Sequence, residues 1–477
     1  MNAVHVSSEV VPFSKTGGLA DVAGALPDAL ASDGLDVVVV SPFYPSVSEA
    51  GFAPSPVLSF PVRVGGVTST VRLLSLSRNG VRHLFVDEPH CFDRPGLYGE
   101  AHGDFPDNPE RFILFCLAAL SGLARLRLRP DVIHCHDWQA ALVPLLLKER
   151  FTGEPVLNGV KSVLTIHNLG YQGNFASDKF NLLEVPKRLF TPEGVEFFGS
   201  VNFLKAGIVF ADKLTTVSPT YAREIQTEEL GFGLDGVLRS RGQELIGILN
   251  GIDTETWNPA TDRNLARTFD ARSLEGKQKN KARLAAELGL SGDASPLFGC
   301  VTRLAEQKGI DKIISVIPEL VSAGAGLALL GTGEAGYEQL LKRLHDLHPG
   351  SISVTVGFSE QMAHRIYAGS DFFLMPSEYE PCGLGQMISL RYGTLPIASR
   401  TGGLADSIVD LEEHPASGTG FLFARGSRQE FIAKAMRAIS VYGDRETLAR
   451  ARNRAMTTDF SWATRCKDYV RLYEALL

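Results

Sequence analysis

The feature that most limits the fold of this chain is a set of short apolar segments that do not alternate. Residues 36–41, 131–134, 162–166, 297–302, 327–330, 372–375 and 395–398 are dominated by Val, Ile, Leu, Phe and small residues. A strand with one face in solvent alternates apolar and polar residues. A strand covered on both faces does not, and parallel sheets are covered on both faces. Segments with helical periodicity fall between many of these runs, at 20–32, 110–125, 277–288, 311–323, 337–345, 360–368 and 428–442. Strand and helix in alternation build α/β domains with parallel sheets. Further strand-like runs at 3–6, 81–87, 213–217, 245–249, 352–356 and 420–423 exceed what one eight-stranded barrel holds. The expected architecture is therefore α/β, with two doubly wound, Rossmann-like domains.

A length of 477 residues suits two or three domains. The polar stretch Ser240-Arg-Gly-Gln-Glu244 precedes a fresh strand and places the expected boundary there, giving domains 1–244 and 245–456. A last helix follows within 457–477, with Ser461 as its N-cap.

The formal net charge of −7 argues against nucleic acid or an anionic membrane as partner, since both select a basic excess. It is compatible with a neutral polysaccharide. The six cysteines (Cys91, Cys116, Cys135, Cys300, Cys382 and Cys466) form no C-x-x-C pair, which fits a reducing compartment better than a disulfide framework. The chain opens directly on a strand, without a secretory or transit pattern, and its most apolar run, 112–124, is too short to span a bilayer. A soluble, cytoplasmic protein is expected.

Several motifs stand where the predicted strands end, and ligands of open α/β sheets bind at the carboxyl ends of strands. Lys15-Thr-Gly-Gly-Leu-Ala-Asp21 combines a cation with Gly17 and Gly18, which let a ligand approach the backbone. The six residues Thr16–Asp21 recur at 401–406, so both domains are expected to present a glycine turn and a helix start to a ligand. Arg303 and Lys308 follow the strand at 297–302 and would offset a diphosphate, or else form a solvated surface pair. Gly331-Thr-Gly333-Glu-Ala-Gly336 matches the dinucleotide fingerprint G-x-G-x-x-G. It opens the second strand unit of its domain rather than the first, and no acidic residue ends the next strand to hold a ribose. A nicotinamide-dependent oxidoreductase is thus the weaker reading.

His134-Cys135-His136-Asp137 looks like a metal cluster, but alternation turns only His134 and His136 to one face. His167 ends the strand at 162–166, where a site role competes with a structural one. Glu380, in Glu380-Pro-Cys382-Gly383-Leu384-Gly385, follows the strand at 372–375 and would hydrogen-bond sugar hydroxyls, with the glycines leaving room for a ring, or else belong to a charged loop. No D-x-D pair occurs. No metal and no cofactor are expected, with protein cations offsetting the phosphate charge.

In this order, Lys-Thr-Gly-Gly-Leu at 15–19, His-Asp-Trp at 136–138, Thr-Ile-His-Asn at 165–168, Leu-Asn-Gly-Ile-Asp at 249–253, Thr-Arg-Leu-Ala-Glu-Gln-Lys-Gly at 302–309 and Glu-Pro-Cys-Gly-Leu at 380–384 resemble bacterial glycogen synthases and plant starch synthases over the whole chain. The resemblance implies the glycosyltransferase-B fold, two Rossmann-like domains facing across a deep cleft, with the final helix packed back on the first. It implies transfer of glucose from ADP-glucose to the non-reducing end of an α-1,4-glucan (glycogen or a maltooligosaccharide), with retention of configuration. By the same resemblance Arg303 and Lys308 hold the donor phosphates, helped by Lys15, Gly17 and Gly18. Glu380 and the 382–384 backbone bind the transferred glucose, His167 and Asn250 meet its 6-hydroxyl, and Asp21 and Asp137 line the first domain's wall. Gly331 and Gly333 complete the expected donor site. Broader retaining transferases often carry a second glutamate eight residues after the first; that position here is Ile388. Ribose recognition is left unassigned by that change, and the base preference rests on the resemblance alone.

Overall fold

The computed structural model describes residues 1–100, 103–291 and 295–477. It divides into two compact units, residues 1–250 with 462–477, and residues 251–461.

The first unit is built on a nine-stranded sheet. Its spatial order is Leu245–Gly247, Lys213–Thr216, Lys161–Ile166, Val132–His136, Asn2–Val6, Asp36–Pro42, Val81–Asp87, Val67–Arg78 and Ser55–Val64. Strand Asn2–Val6 pairs in parallel with neighbours on both sides, Asp36–Pro42 and Val132–His136. Residues in these three strands are buried almost without interruption, as continuous apolar runs require. The last two strands form an antiparallel hairpin turned at Gly65 and Gly66, both at positive φ, the geometry that a Gly-Gly hairpin turn supplies. This hairpin was not among the expected strands. Its residues alternate between buried and exposed, so one face meets solvent and no continuous apolar run marks it.

The strand expected to open the second domain belongs to the first. Leu245–Gly247 pairs in parallel with Lys213–Thr216, and Ile248 joins the first unit's core. The polar stretch at 240–244 is the connection from helix Asp235–Ser240 into that edge strand, and the unit runs to Asn250 rather than Glu244. The last helix spans Trp462–Glu474; residues 457–461 stay with the second unit. Trp462, Cys466, Tyr469 and Tyr473 recur at helical spacing and pack in one cluster with Leu19, Val22, Leu26 and Leu30 of helix Gly18–Ser32. Each such large side chain contributes about 1.5–3 kcal/mol of burial.

The second unit holds a six-stranded parallel sheet in the order Ile352–Val356, Gly326–Gly331, Leu297–Val301, Phe372–Met375, Leu395–Ser399 and Phe421–Phe423. In each unit the first strand lies inside the sheet, and strand order reverses beside it. Such a reversal sends successive loops to opposite faces and opens a crevice at the carboxyl ends. The reversal lies between Asn2–Val6 and Val132–His136 in one unit, and between Leu297–Val301 and Phe372–Met375 in the other. No helix among the described residues is long and apolar enough to cross a membrane.

Candidate active site

In the first unit, the loop leaving strand Asn2–Val6 is organised by Glu9, which is buried and was not singled out from sequence. Its carboxylate accepts the Thr16 N–H (2.5 Å), the Thr16 hydroxyl (2.7 Å), the Gly17 N–H (3.3 Å) and the Tyr98 hydroxyl (2.8 Å). The Gly17 N–H expected to face a ligand is therefore spent on Glu9. The space beside the glycines remains: a Cβ added at Gly17 or Gly18 meets nothing within 4 Å. Lys15 Nζ lies 2.7 Å from Asp21 Oδ1 in a half-exposed ion pair, so the two predicted residues act as one unit.

Asp137 and His167 end adjacent strands. Asp137 adopts φ 54°, a left-handed conformation that Asp and Asn tolerate better than most residues. That conformation lets its Oδ1 accept the His167 N–H at 2.7 Å. Burial pushes the Asp137 carboxyl up to about 7, against the lowering effect of the backbone N–H groups of His167 and Asn168. Asn250 is buried, and its side-chain oxygen has no hydrogen-bond partner among the described residues. A buried acceptor left so is costly, which fits a ligand contact.

His134 and His136 do share a face, stacked with ring centroids 4.4 Å apart. Strand pairing adds what the sequence did not reveal: His5 lies in register with His134, and ring nitrogens of His5, His134 and His136 fall within 4.8 Å of one another. These rings are better placed for one another than for a metal. His134 bonds Tyr473 and Thr165, and His136 bonds His5 and His167. Both nitrogens of each ring are thus engaged, and two stacked rings do not aim their in-plane lone pairs at a common ion.

In the second unit, Lys308 Nζ lies 2.6 Å from Glu380 Oε2, with both side chains largely buried. Ser377 Oγ donates to the same oxygen at 3.0 Å. Both of these bonds fall on Oε2 rather than Oε1. Among the described residues, the hydrogen bond that the Arg303 side chain makes is a marginal one, 3.5 Å to Gln307 Oε1. Cys382, Gly383 and Leu384 form the turn after Glu380; Gln386 fixes it by donating to the Cys382 and Gly383 carbonyls (3.0 and 3.1 Å). Ile388 is buried on the following helix, Gly385–Arg391.

Two glycine motifs serve packing first. The Gly403 N–H reaches the Glu380 and Pro381 carbonyls, and a Cβ on Gly402 (φ 41°) would lie 1.9 Å from the Glu380 carbonyl oxygen. The second copy of the repeat thus supports the Glu380 loop from beneath, whereas both copies were expected to face ligand. Likewise, a Cβ at Gly331 or Gly333 would strike the Thr302 or Leu304 carbonyl, and the Gly333 N–H is taken by Glu338 Oε1 at 3.0 Å. The fingerprint brings the loop after Gly326–Gly331 against the Arg303 segment; the Gly333 N–H does not point to a dinucleotide. A cavity of about 540 Å³ bounded by Ile252, Arg391 and Phe460 contains none of these residues.

Comparison with known proteins agrees over the whole length. Residues 2–240 match the family described as starch synthase catalytic domain, and residues 287–456 match glycosyl transferases group 1. Glycogen synthase 2 of Geobacter sulfurreducens is 45% identical over 99% of this chain and 98% of its own. Glycogen synthase of Myxococcus xanthus is 46% identical over the full length of both chains. The catalytic domain of starch synthase IV from Arabidopsis thaliana, solved bound to ADP and acarbose, superimposes with a TM-score of 0.91 at 34% identity, covering 99% of both chains. Sucrose-phosphate synthase from Thermosynechococcus elongatus shares the fold at 18% identity (TM-score 0.63; 100% of this chain, 98% of that one). With two Rossmann-like units, each carrying its motifs at the sheet's switch point, the chain belongs to the glycogen and starch synthase family of glycosyltransferases.

Proposed function

We propose that this enzyme transfers glucose from ADP-glucose to the non-reducing end of an α-1,4-glucan, glycogen or a maltooligosaccharide, with retention of configuration and release of ADP. The observation that carries the reading is the Lys308–Glu380 pair beside Arg303, at the carboxyl ends of the two strands flanking the switch point. It joins cations suited to a diphosphate with a carboxylate able to accept from a sugar hydroxyl. Arg303 and Lys308 offset the charge that develops on the departing ADP, with Lys15 as a further cation. Fixed donors aimed at developing charge are usually the largest catalytic contribution. Glu380 and the turn at 382–384 orient the glucose; His167 and Asn250 serve its 6-hydroxyl; Asp137 holds the His167 backbone. Gly331 and Gly333 position the Arg303 segment, and Gly17 and Gly18 give room for the ligand.

The displacement is a same-face, ion-pair-like one, in which the leaving phosphate assists the incoming hydroxyl; we assign no carboxylate nucleophile. No metal or organic cofactor takes part. The ADP named for the Arabidopsis relative supports an adenine nucleotide. Six cysteines standing as free thiols support a cytoplasmic setting. Proton NMR of a short maltooligosaccharide extended by one glucose tests the stereochemistry. An α-1,4 linkage is expected; a β linkage would overturn retention.

A further inference from the structure

Thr215, Thr165, His134, Tyr473, His5, His136 and His167 form one continuous hydrogen-bonded chain inside the first unit. Thr215 Oγ1 and Thr165 Oγ1 lie 2.5 Å apart, and Thr165 Oγ1 is 2.5 Å from His134 Nε2. His134 Nδ1 is 2.6 Å from the Tyr473 hydroxyl, which is 3.4 Å from His5 Nε2. His5 Nδ1 is 3.1 Å from His136 Nε2, and His136 Nδ1 is 2.9 Å from His167 Nε2. All members but His167 are fully buried, and His167 is nearly so.

A neutral imidazole has one donor and one acceptor. Burial keeps the four rings neutral, with His5 and His167 lowered to about 3 and His134 and His136 held well below the ordinary histidine range. Hydroxyls can also donate only once. In the His5–His136–His167 run, where only ring nitrogens meet, the protons must therefore point the same way and only two orders exist, whereas a flanking hydroxyl can also accept from both sides. The phenol decides between them. Its single proton can serve His134 Nδ1 at 2.6 Å or His5 Nε2 at 3.4 Å, and the shorter contact has the usual O–H···N length while the longer is a weak one. Once Tyr473 donates to His134, only lone pairs of the phenol oxygen face His5 Nε2, so a proton on Nε2 makes a weak hydrogen bond there whereas a bare Nε2 would set lone pair against lone pair. His136 Nε2 then donates to His5, and His167 Nε2 donates to His136.

We infer that Tyr473, on the C-terminal helix, is a positioning residue that fixes the tautomer of His167 through His5 and His136, so that His167 presents an unprotonated Nδ1 as a hydrogen-bond acceptor. The relay deepens the proposed function, since it rests on His167 facing the sugar: the hydroxyl there donates to the ring rather than accepting from it. The sequence hides this arrangement, because its members come from four strands and the last helix.

Two-bond proton–nitrogen NMR of the full chain labelled with ¹⁵N-histidine tests it, with the His167 signals assigned by their loss in His167→Gln. In the wild type, His167 is expected to show a protonated Nε2 and an unprotonated Nδ1. Tyr473→Phe removes the directing hydroxyl, and Thr165→Val removes the acceptor for His134 Nε2–H at the other end. Each is expected to shift the His167 proton to Nδ1 in a substantial fraction of molecules. A wild-type His167 protonated at Nδ1 would overturn the proposal, as would wild-type His167 signals in a folded variant of either kind. If Tyr473→Phe does not fold, Thr165→Val and the wild-type spectrum carry the test. The spectra need no turnover, so absence of glucosyl transfer with the expected tautomer would count against the proposed function and not against the relay.

Discussion

At the scale of single residues, charge placement and stability separate cleanly. Among the described residues Arg303 makes one marginal side-chain hydrogen bond, so Arg303→Ala is expected to leave the melting temperature nearly unchanged. Lys308→Ala strips a partner from the buried Glu380 carboxylate, which costs about 1–3 kcal/mol. Both are expected to lower kcat far more than they lower stability, by about 10²–10³-fold as when one preorganised donor to a developing charge is lost. Steady-state kinetics beside a thermal melt checks this, and wild-type turnover in a folded double variant would contradict it. Asp137 adds a pH signature. Its folded carboxyl is raised to about 7, so between the unfolded value near 4 and pH 7 the native state holds the extra proton. Stability from this group is present at low pH and is lost as pH rises through about 7. Asp137→Asn keeps a left-handed-tolerant residue and an acceptor for the His167 N–H. It is expected to be more stable than wild type at pH 8 relative to pH 5, by on the order of 3 kcal/mol. Urea titrations at the two pH values measure it; equal pH dependence of both proteins would refute the burial argument.

At the scale of elements, the repeated Thr-Gly-Gly-Leu-Ala-Asp shows how one motif serves two purposes. Gly402→Ala would drive a methyl into the Glu380 carbonyl, so both melting temperature and kcat are expected to fall, with a stability loss of about 1–3 kcal/mol. Gly17→Ala meets open space at an extended φ of −153°. It is expected to spare the melting temperature and to raise the KM for the nucleotide sugar. Equal losses of stability in both variants would show that the two turns do the same job. The contrast was not legible in the sequence, where the copies are identical, because what lies beneath each turn is set by distant segments. Strand-end motifs were legible for the opposite reason. Parallel strands announce themselves as continuous apolar runs, and in a doubly wound sheet the residue after each run stands at the ligand edge. Lys15, Asp137, His167, Arg303, Lys308 and Glu380 all follow such runs. Glu9 follows one too, but its carboxylate looks inward to organise a loop, and no spacing rule distinguishes that from a surface glutamate.

At the scale of the whole molecule, the first unit is completed by the chain's last helix. Ending the chain at Ser461 would remove Trp462, Cys466, Tyr469, Leu472 and Tyr473 from the core around Leu19, Val22 and Leu26. The truncated protein is expected to lose cooperative unfolding of the first unit or to aggregate, as scanning calorimetry and light scattering would reveal. A monodisperse protein with an unchanged melting temperature would contradict that role. The presence of this helix was readable from the serine that precedes it. The limit of the first unit was not, because a polar loop precedes an edge strand of the same sheet as readily as it precedes a new domain. The hairpin Ser55–Arg78 escaped for a related reason, its alternation being the mark of a half-exposed antiparallel edge. The central claim is glucosyl transfer from ADP-glucose through a phosphate site built from protein cations. Its most direct test is nucleotide release and glucose incorporation with glycogen as acceptor, comparing ADP-glucose with UDP-glucose, each with and without EDTA. The account predicts strong ADP release that survives EDTA, with matching incorporation into the polymer. Preference for UDP-glucose, loss of activity in EDTA, or no transfer from either donor by folded protein would contradict it.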